Sequence, residues 1–324
     1  MVLWYYKNYW TIWRLIMDII PDNTININTP AKINLSLDVT GQLGNGYHTL
    51  KMVMQTISVY DTITISAITG TGSHNPVNFT MNKELPDKIP ASKNLVYKAA
   101  MLMKEKFNIK TCFAIHLDKN IPAAAGLAGG SSDCAATLEG INKLCCLGLS
   151  EEELCKIGVT LGADVPFCIK KGTVLCEGIG EILTPLSPLP EIWLVLVKPC
   201  ISVSTAYVYT HLDLPGLKYH PDIDGMVNAI NIKNIKGIAS CLSNVLETVT
   251  IKEYPLISEI KTFLTDNGAA GSLMSGSGPT VFGIFENKEK ASAVYKKAKE
   301  KYNNADIILC HTVQPDTPQH DNRA

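Results

Sequence analysis

The run Ile121-Pro122-Ala123-Ala124-Ala125-Gly126-Leu127-Ala128-Gly129-Gly130-Ser131-Ser132-Asp133-Cys134-Ala135-Ala136 constrains this chain more than any other stretch. A proline and small residues lead through glycines and serines into an alanine-rich run of helical character. That order describes a loop opening onto a helix N-terminus. Glycines let a ligand come close to the backbone because no Cβ stands in the way. The unpaired N–H groups and the positive dipole end of the helix favour an anion there, above all a phosphate. One Gly-Gly-Ser would fit a plain helix cap; the whole run fits a phosphate loop better. It is not a Walker loop, since no G-x-x-x-x-G-K-[ST] occurs, and no G-x-G-x-x-G follows a strand. The H-R-D and D-F-G elements of protein kinases are also missing.

Composition narrows the partner. The formal net charge is -1, and the only arginines are Arg14 and Arg323, near the two ends. A reader of nucleic acid normally needs arginine forks, so no nucleic-acid partner is expected, and a phosphate site must rely on backbone N–H groups and lysines. With 46% hydrophobic and 18% charged residues, the 324-residue chain has enough apolar content for a globular core and the length of two domains. None of the ten cysteines forms a C-x-x-C pair. Cys112, Cys134, Cys168 and Cys200 sit in apolar or small-residue runs, and Cys145-Cys146 are adjacent on an expected helix. Reduced, mostly buried thiols in a cytoplasmic protein are expected.

The first 20 residues hold Trp4, Trp10, Trp13, Tyr5, Tyr6 and Tyr9, interrupted by Lys7 and Arg14. The run is too broken for a spanning helix, and no small-residue cleavage site marks a signal peptide. It reads as an appendage with Met17 as the start of the working chain, an interfacial helix being the other reading. No membrane partner is expected.

Alternation predicts a strand over 25–40, with Ile33, Leu35, Leu37 and Val39 on one face, and more strand over 50–68. Helices are predicted over 94–107, 132–147, from a capping box at Ser150 to Leu161, over 225–244, 255–267 and 286–302. Strands are predicted over 111–118, 192–198, 280–285 and 307–313, with a second glycine-serine loop over 271–278. The Pro-rich stretch Thr184 to Pro190 is the best domain boundary. This gives an appendage over 1–24, domains over 25–184 and 185–313, and a disordered tail over 314–324. The mixture suggests two α/β or α+β domains.

Five motifs stand in fixed order: Pro30-Ala31-Lys32-Ile33-Asn34-Leu35, Gly46-Tyr47-His48-Thr49-Leu50, Pro122 to Ala136, Gly162-Ala163-Asp164-Val165-Pro166-Phe167, and Ser275-Gly276-Ser277-Gly278-Pro279-Thr280. Together they resemble the GHMP small-molecule kinases, over about residues 28–313. The A-K-I-N-L and G-Y-H-T-L pair is similar to the branch whose substrate is CDP-methylerythritol. The resemblance implies an α+β, two-domain GHMP kinase fold: an N-terminal ATP-binding domain like domain 2 of ribosomal protein S5, and a ferredoxin-like C-terminal substrate domain. It implies ATP and Mg²⁺ as cofactors, a small-molecule alcohol as acceptor, and a monomer or homodimer.

Phosphoryl transfer needs a positioned hydroxyl, a held nucleotide and stabilised charge. A carboxylate in the apolar stretch around Asp164 is unusual unless it caps a helix or does chemistry. Lys32, taken alone, would fit a strand residue pointing to solvent, and His48 a turn residue. The resemblance makes Lys32 and Asp164 catalytic, with Asp164 the general base and Lys32 neutralising charge beside it. It carries Asn34, Tyr47, His48, Thr205 and Tyr209 into the substrate site, with Tyr209 or else Tyr207 stacking on the cytosine. It lines the nucleotide site with Asn94, Leu95, Lys119 and the loop Pro122, Ala123, Ala124, Ala125, Gly126, Leu127, Ala128, Gly129, Gly130, Ser131 and Ser132. Asn94 also suits a helix cap. The loop Ser275 to Thr280 would add donors near the substrate.

Two departures carry expectations. Met54 stands where some relatives have a second aromatic against the cytosine. Ala128 replaces a glycine, so its φ should be negative. No residues are assigned as metal ligands; Ser132 is the candidate contact for Mg²⁺, and Glu139 reads as surface. The competing readings are a GHMP kinase for another alcohol, such as homoserine or mevalonate, and a GHMP-fold binder without catalysis.

Overall fold

The computed structural model describes residues 23–44, 46–68, 76–83 and 90–315. The readings of residues 1–22 and of the tail from 316 onward lie outside them. The first half contains β1 (Thr24–Gln42), β2 (His48–Ile68), β3 (Val77–Met81), α1 (Leu95–Lys106), β4 (Cys112–Asp118), α2 (Gly129–Leu144), α3 (Glu151–Gly158), α4 (Val165–Lys170), β5 (Thr173–Gly178) and β6 (Ile182–Pro185). The second half contains β7 (Trp193–Lys198), α5 (Thr205–Thr210), α6 (Ile223–Asn231), α7 (Ile235–Ser240), β8 (Ser243–Asn244), α8 (Glu247–Glu253) and α9 (Leu256–Asp266). It closes with β9 (Gly271–Met274), β10 (Val281–Phe285), α10 (Lys288–Lys301) and β11 (Asp306–His311).

The long hairpin β1–β2 organises the first sheet, of order β3-β4-β2-β1-β8. The C-terminal half of β2 pairs with β4, while its N-terminal half, Leu50 to Gln55, pairs with β5 and through it β6. The run Thr62-Ile63-Thr64-Ile65 shows why it folds so. Ile63 and Ile65 are fully buried, and the alternating Thr62 and Thr64 donate to Asn28 and Asn26 on the neighbouring β1. The second sheet is antiparallel, of order β11-β7-β10-β9. Its strands β7 and β10 are near-continuous apolar runs because both faces are covered. The Ile33 and Leu35 side of β1 joins Leu194, Leu196, Phe282 and Ile284 in one cluster, so the two sheets share a core.

Several expectations need correction. Ile33, Leu35, Leu37 and Val39 do not share a face. The register of β1 against β2 shifts between Asn34 and Ser36. One extra residue reverses the side-chain alternation. Ile33 and Leu35 thus enter the core between the sheets, whereas Leu37 and Val39 enter the other cluster. The single helix expected over 225–244 is broken. Lys233 adopts φ 54° and Asn234 caps a new helix, accepting from Gly237 N–H. The chain then leaves as β8, which pairs in parallel with Ser36 and Leu37 of β1. The second half of the chain thereby builds part of the first sheet. Helix α2 starts at Gly129, not Ser132, and Gly271 to Met274 is strand, not loop. The Ser150–Glu153 capping box is present, with the helix ending at Gly158. Strands β3, β5, β6 and helix α5 were not anticipated. All ten cysteines are free, and Cys146 and Cys200 are exposed, not buried.

Candidate active site

A cavity of about 880 Å³ opens between the phosphate loop, the β1–β2 hairpin, α4, α5 and the second glycine loop. Its size suits a site for small molecules. Of the residues singled out from sequence, Lys32, Asn34, Tyr47, His48, Asn94, Leu95, Lys119, Pro122 to Ser131, Asp164, Thr205 and Tyr209 all line it. Ser132 does not. It is fully buried, and its hydroxyl donates to the Pro30 carbonyl at 2.6 Å and pairs with the Thr29 hydroxyl. Ser132 ties α2 to β1, and its side chain does not line the cavity. Glu139 is not simply surface either; both its oxygens accept from Lys171 Nζ at 3.1 Å.

The phosphate loop has the backbone its sequence calls for, by a different route from the one expected. Ala128 has φ 55°, in the left-handed region, and Ala124 has φ 48°. Each costs an alanine about 1–2 kcal/mol. With Gly126 at 74°, positive φ alternates with ordinary negative φ along the loop. Such alternation turns successive N–H groups to one side, a backbone shape suited to an anion, and here it lies at the N-terminus of the 16-residue helix α2. Gly126 is irreplaceable for a second reason. A Cβ there would fall 2.1 Å from the Ser275 carbonyl oxygen, where the two glycine loops meet. Ser275 Oγ donates to the Gly126 carbonyl at 2.9 Å, and Lys32 N–H donates to the Leu127 carbonyl at 3.1 Å.

Lys32 and Asn34 project from β1 on the cavity side. Lys32 is 4% exposed, and its Nζ donates to Asn34 Oδ1 at 2.7 Å and lies 3.7 Å from Asp164 Oδ2. Lys32 therefore does not point to solvent. Asn34 Nδ2 donates to Met52 Sδ at 3.4 Å, which fixes the amide so that its oxygen faces Lys32. Met52, not Met54, borders the cavity; Met54 is buried in the core. Asp164 occupies the residue before α4 but its side chain makes no cap hydrogen bond. Its carboxylate, about one-third exposed, is left to the cavity and to Lys32.

A second Lys–Asp cluster supports the phosphate loop from beneath. Lys119 Nζ donates to Asp61 Oδ2 and, at 2.9 Å, to Asp133 Oδ2. Asp61 Oδ1 also accepts from the N–H groups of Asn120 and Ile121 at 2.5 and 2.8 Å. A Cβ on Gly129 would lie 2.7 Å from Lys119 Nζ and 2.9 Å from Ile121 Cγ2, so a side chain there would displace the clamped lysine or the isoleucine. Burial pushes the Asp133 carboxyl up to about 8, against the pull of Lys119; Asp133 Oδ1 is buried without a partner. Sequence reasoning missed Asp61 and Asp133. The signal that marked Asp164, a carboxylate in an apolar or small-residue stretch, applies equally to Asp133 in Ser-Asp-Cys-Ala-Ala.

On the side of the hairpin and α5, the His48 and Tyr209 rings lie 5.2 Å apart at 36°. The Tyr209 phenol is pushed above its ordinary value by burial and by the Asp164 charge. Tyr207 is turned away, stacked on His211 at 3.8 Å. Thr205 Oγ1 bonds Ser277 Oγ at 2.9 Å, linking α5 to the second loop. On the opposite side, Leu95, Met81 and Leu117 form an apolar wall beside the phosphate loop. Asn94 caps α1, accepting from Val96 N–H at 2.9 Å, and also faces the cavity.

Comparison with known proteins agrees with this geometry. Residues 94–172 match the GHMP kinases N terminal domain and residues 226–304 the GHMP kinases C terminal domain. The chain is 50% identical over 275 residues to a 4-diphosphocytidyl-2-C-methyl-D-erythritol kinase of Lachnoclostridium phytofermentans, covering 85% of this chain and 92% of that one. It is 46% identical over 289 residues to the kinase of the same name from Clostridium botulinum, covering 89% of this chain and 100% of that one. A solved structure of 4-(cytidine 5'-diphospho)-2C-methyl-D-erythritol kinase superposes with a TM-score of 0.75 at 28% identity, over 89% of this chain and 100% of that one. The chain belongs to the GHMP kinases and, within them, to the family of 4-diphosphocytidyl-2-C-methyl-D-erythritol kinases.

Proposed function

We propose that this chain transfers the γ-phosphoryl group of ATP to the 2-hydroxyl of 4-diphosphocytidyl-2-C-methyl-D-erythritol, a step of the non-mevalonate route to isoprenoid precursors. The observation that carries the reading is the Lys32–Asp164 pair, 3.7 Å apart, set in one cavity between an anion-binding loop and an aromatic wall. Asp164 takes the proton of the attacking hydroxyl. Lys32, oriented by Asn34, stands beside that carboxylate and offsets the charge that develops on the hydroxyl oxygen. The N–H groups of the loop from Ala123 to Gly130 hold the triphosphate, and Leu95 with Asn94 borders the adenine. Tyr209, His48 and Tyr47 receive the cytosine.

Among the described residues no group of three or more His, Cys, Asp or Glu converges as a metal site. Mg²⁺ keeps most of its waters and arrives on nucleotide phosphates. The Ser131 hydroxyl, on the cavity wall beside the loop, would hold the ion together with phosphate oxygens; bound there, Mg²⁺ would neutralise phosphate charge. No helix among the described residues is long and apolar enough to cross a membrane. A diffusible substrate and free thiols fit a cytoplasmic enzyme.

A coupled ATP-consumption assay with CDP-methylerythritol, homoserine and mevalonate tests the reading. Turnover of the cytidine substrate alone is expected; preference for either small alcohol would overturn it. Within the same assay Tyr209→Ala should raise KM for the cytidine substrate and leave KM for ATP unchanged. Base–aromatic stacking is worth about 1–3 kcal/mol, a roughly five- to 150-fold weaker complex. An unchanged substrate KM would remove Tyr209 from the cytosine site.

A further inference from the structure

The second glycine loop is held from behind by a segment that no motif singled out. Asn244 is buried in β8, and its Nδ2 donates to the carbonyls of Met274 and Gly276 at 2.9 and 2.7 Å. Its Oδ1 accepts from Leu246 N–H at 3.0 Å, so the amide has one orientation. Three residues on, Glu247 Oε1 accepts from Met274 N–H at 2.9 Å, and the Thr250 hydroxyl shares its proton between the Leu246 carbonyl at 3.2 Å and the Ser277 carbonyl at 3.3 Å. The same segment is anchored to the strand that bears Lys32: β8 pairs with Ser36 and Leu37, and Val245 N–H donates to the Leu37 carbonyl at 3.1 Å.

These bonds decide where the loop's donors point. In a trans peptide the N–H lies opposite the preceding carbonyl. With the Gly276 carbonyl drawn back to Asn244, the Ser277 N–H points to the other side. Gly276 and Ser277 line the cavity and Asn244 does not, so that side is the cavity. Ser275 N–H is consumed by the Thr280 carbonyl and Gly278 N–H by the Ser275 carbonyl. The Ser277 N–H has no acceptor among the described residues. It sits beside the reacting centre: a Cβ on Gly276 would lie 3.5 Å from Lys32 Nζ and 3.4 Å from the Gly126 carbonyl oxygen. A donor between the phosphate loop and Lys32 faces the path of the moving phosphoryl group.

We propose that Asn244 is a positioning residue for phosphoryl transfer: it holds the second glycine loop so that the Ser277 N–H donates to an oxygen of the phosphoryl group in transit. The inference rests on the kinase reading above. A preorganised donor of this kind acts on charge that develops in the transition state and on neither ground state. Asn244 belongs to the rate of the chemical step, while nucleotide affinity belongs to the first loop and α1.

Asn244→Asp tests it. The variant keeps the acceptor for Leu246 N–H and sets an oxygen against the carbonyls of Met274 and Gly276. With ATP and CDP-methylerythritol, kcat should fall on the order of 10- to 100-fold, less than the 10²–10³ for outright loss of an oxyanion-hole donor. Both KM values should stay within a few-fold of wild type. A merely structural Asn244 would lower the melting temperature and leave kcat per folded molecule unchanged, and that result overturns the inference. Should Asn244→Asp fail to fold, Thr250→Val, which releases the Ser277 carbonyl together with the Leu246 carbonyl and nearly keeps the side-chain shape, carries the test. A several-fold loss in kcat is expected from it, and wild-type kcat sinks the idea. An inactive wild-type chain would instead overturn the kinase reading, and the inference with it.

Discussion

Two lysine–aspartate clusters border the same cavity and are built in opposite ways. Lys32 faces Asp164 across 3.7 Å, and the Asp164 carboxylate has no helix cap to occupy it. Lys119 is clamped between Asp61 and Asp133, with Asp61 also taking two backbone N–H groups. A carboxylate that must accept a proton needs an open lone pair, access to the substrate and a cation close enough to keep it ionised. A cluster that must hold a loop in shape needs closed hydrogen bonds and burial. The open pair is suited to chemistry and the closed triad to support, and the contrast can be broken residue by residue.

The largest expected effect is at the open pair. Asp164→Asn should leave binding of ATP and substrate close to wild type and lower kcat on the order of 10²–10⁴, the range for loss of a general base. Because Asp164 is about one-third exposed and caps nothing, its melting temperature should barely move. A kcat within a few-fold of wild type would remove Asp164 from the role of base.

Next is the triad. Lys119→Met leaves Asp61 and Asp133 buried without their cation. Breaking a buried ion pair from one side costs about 3–5 kcal/mol. At roughly 2–4 °C per kcal/mol for chains of 150–250 residues, thermal denaturation should show a loss of about 6–20 °C. Calorimetry on Lys32→Met, by contrast, should show little loss of stability beside a large loss of kcat. If the two lysine variants exchanged these phenotypes, the division between chemistry and support would be wrong.

The same contrast shows what the sequence made legible. The phosphate loop, Lys32, Asn34, Asp164 and Tyr209 each sit in a short contiguous motif, and the structure gathers all of them around one cavity. The triad is assembled from the middle of β2, the junction after β4 and helix α2, so although Asp133 stands out in its small-residue run, no local pattern announces the three together. The β-bulge at Leu35 is equally silent. Alternation along β1 is intact on either side of it, and only the pairing with β2 reveals the slip. Ala128 illustrates a third kind of miss. Propensity argued for negative φ, but the anchoring of the loop to Ser275 and Lys32 imposes φ 55°. Ser132 stands inside the same motif, yet its hydroxyl is fully buried and spent on two strand partners, which only the fold reveals.

The smallest expected effect separates the two aspartates of the triad. Asp133 carries its raised value because burial disfavours its charge more than Lys119 favours it, while Asp61 adds a like charge. In the unfolded chain an aspartate releases its proton near pH 4, whereas the folded chain keeps one on Asp133 up to about pH 8. Between those values the folded state binds more protons than the unfolded state, so this group's contribution to stability falls as pH rises and levels off above about 8. Asp133→Asn cannot ionise and still offers Lys119 an amide oxygen. It should flatten the decline in melting temperature between pH 5 and 9 and raise the melting temperature at the alkaline end. A variant with the same pH slope as wild type would mean that Asp133 is ionised in the folded protein at neutral pH. Lys119 would then balance two charges, not one, and the triad would carry a net negative charge directly under the phosphate loop.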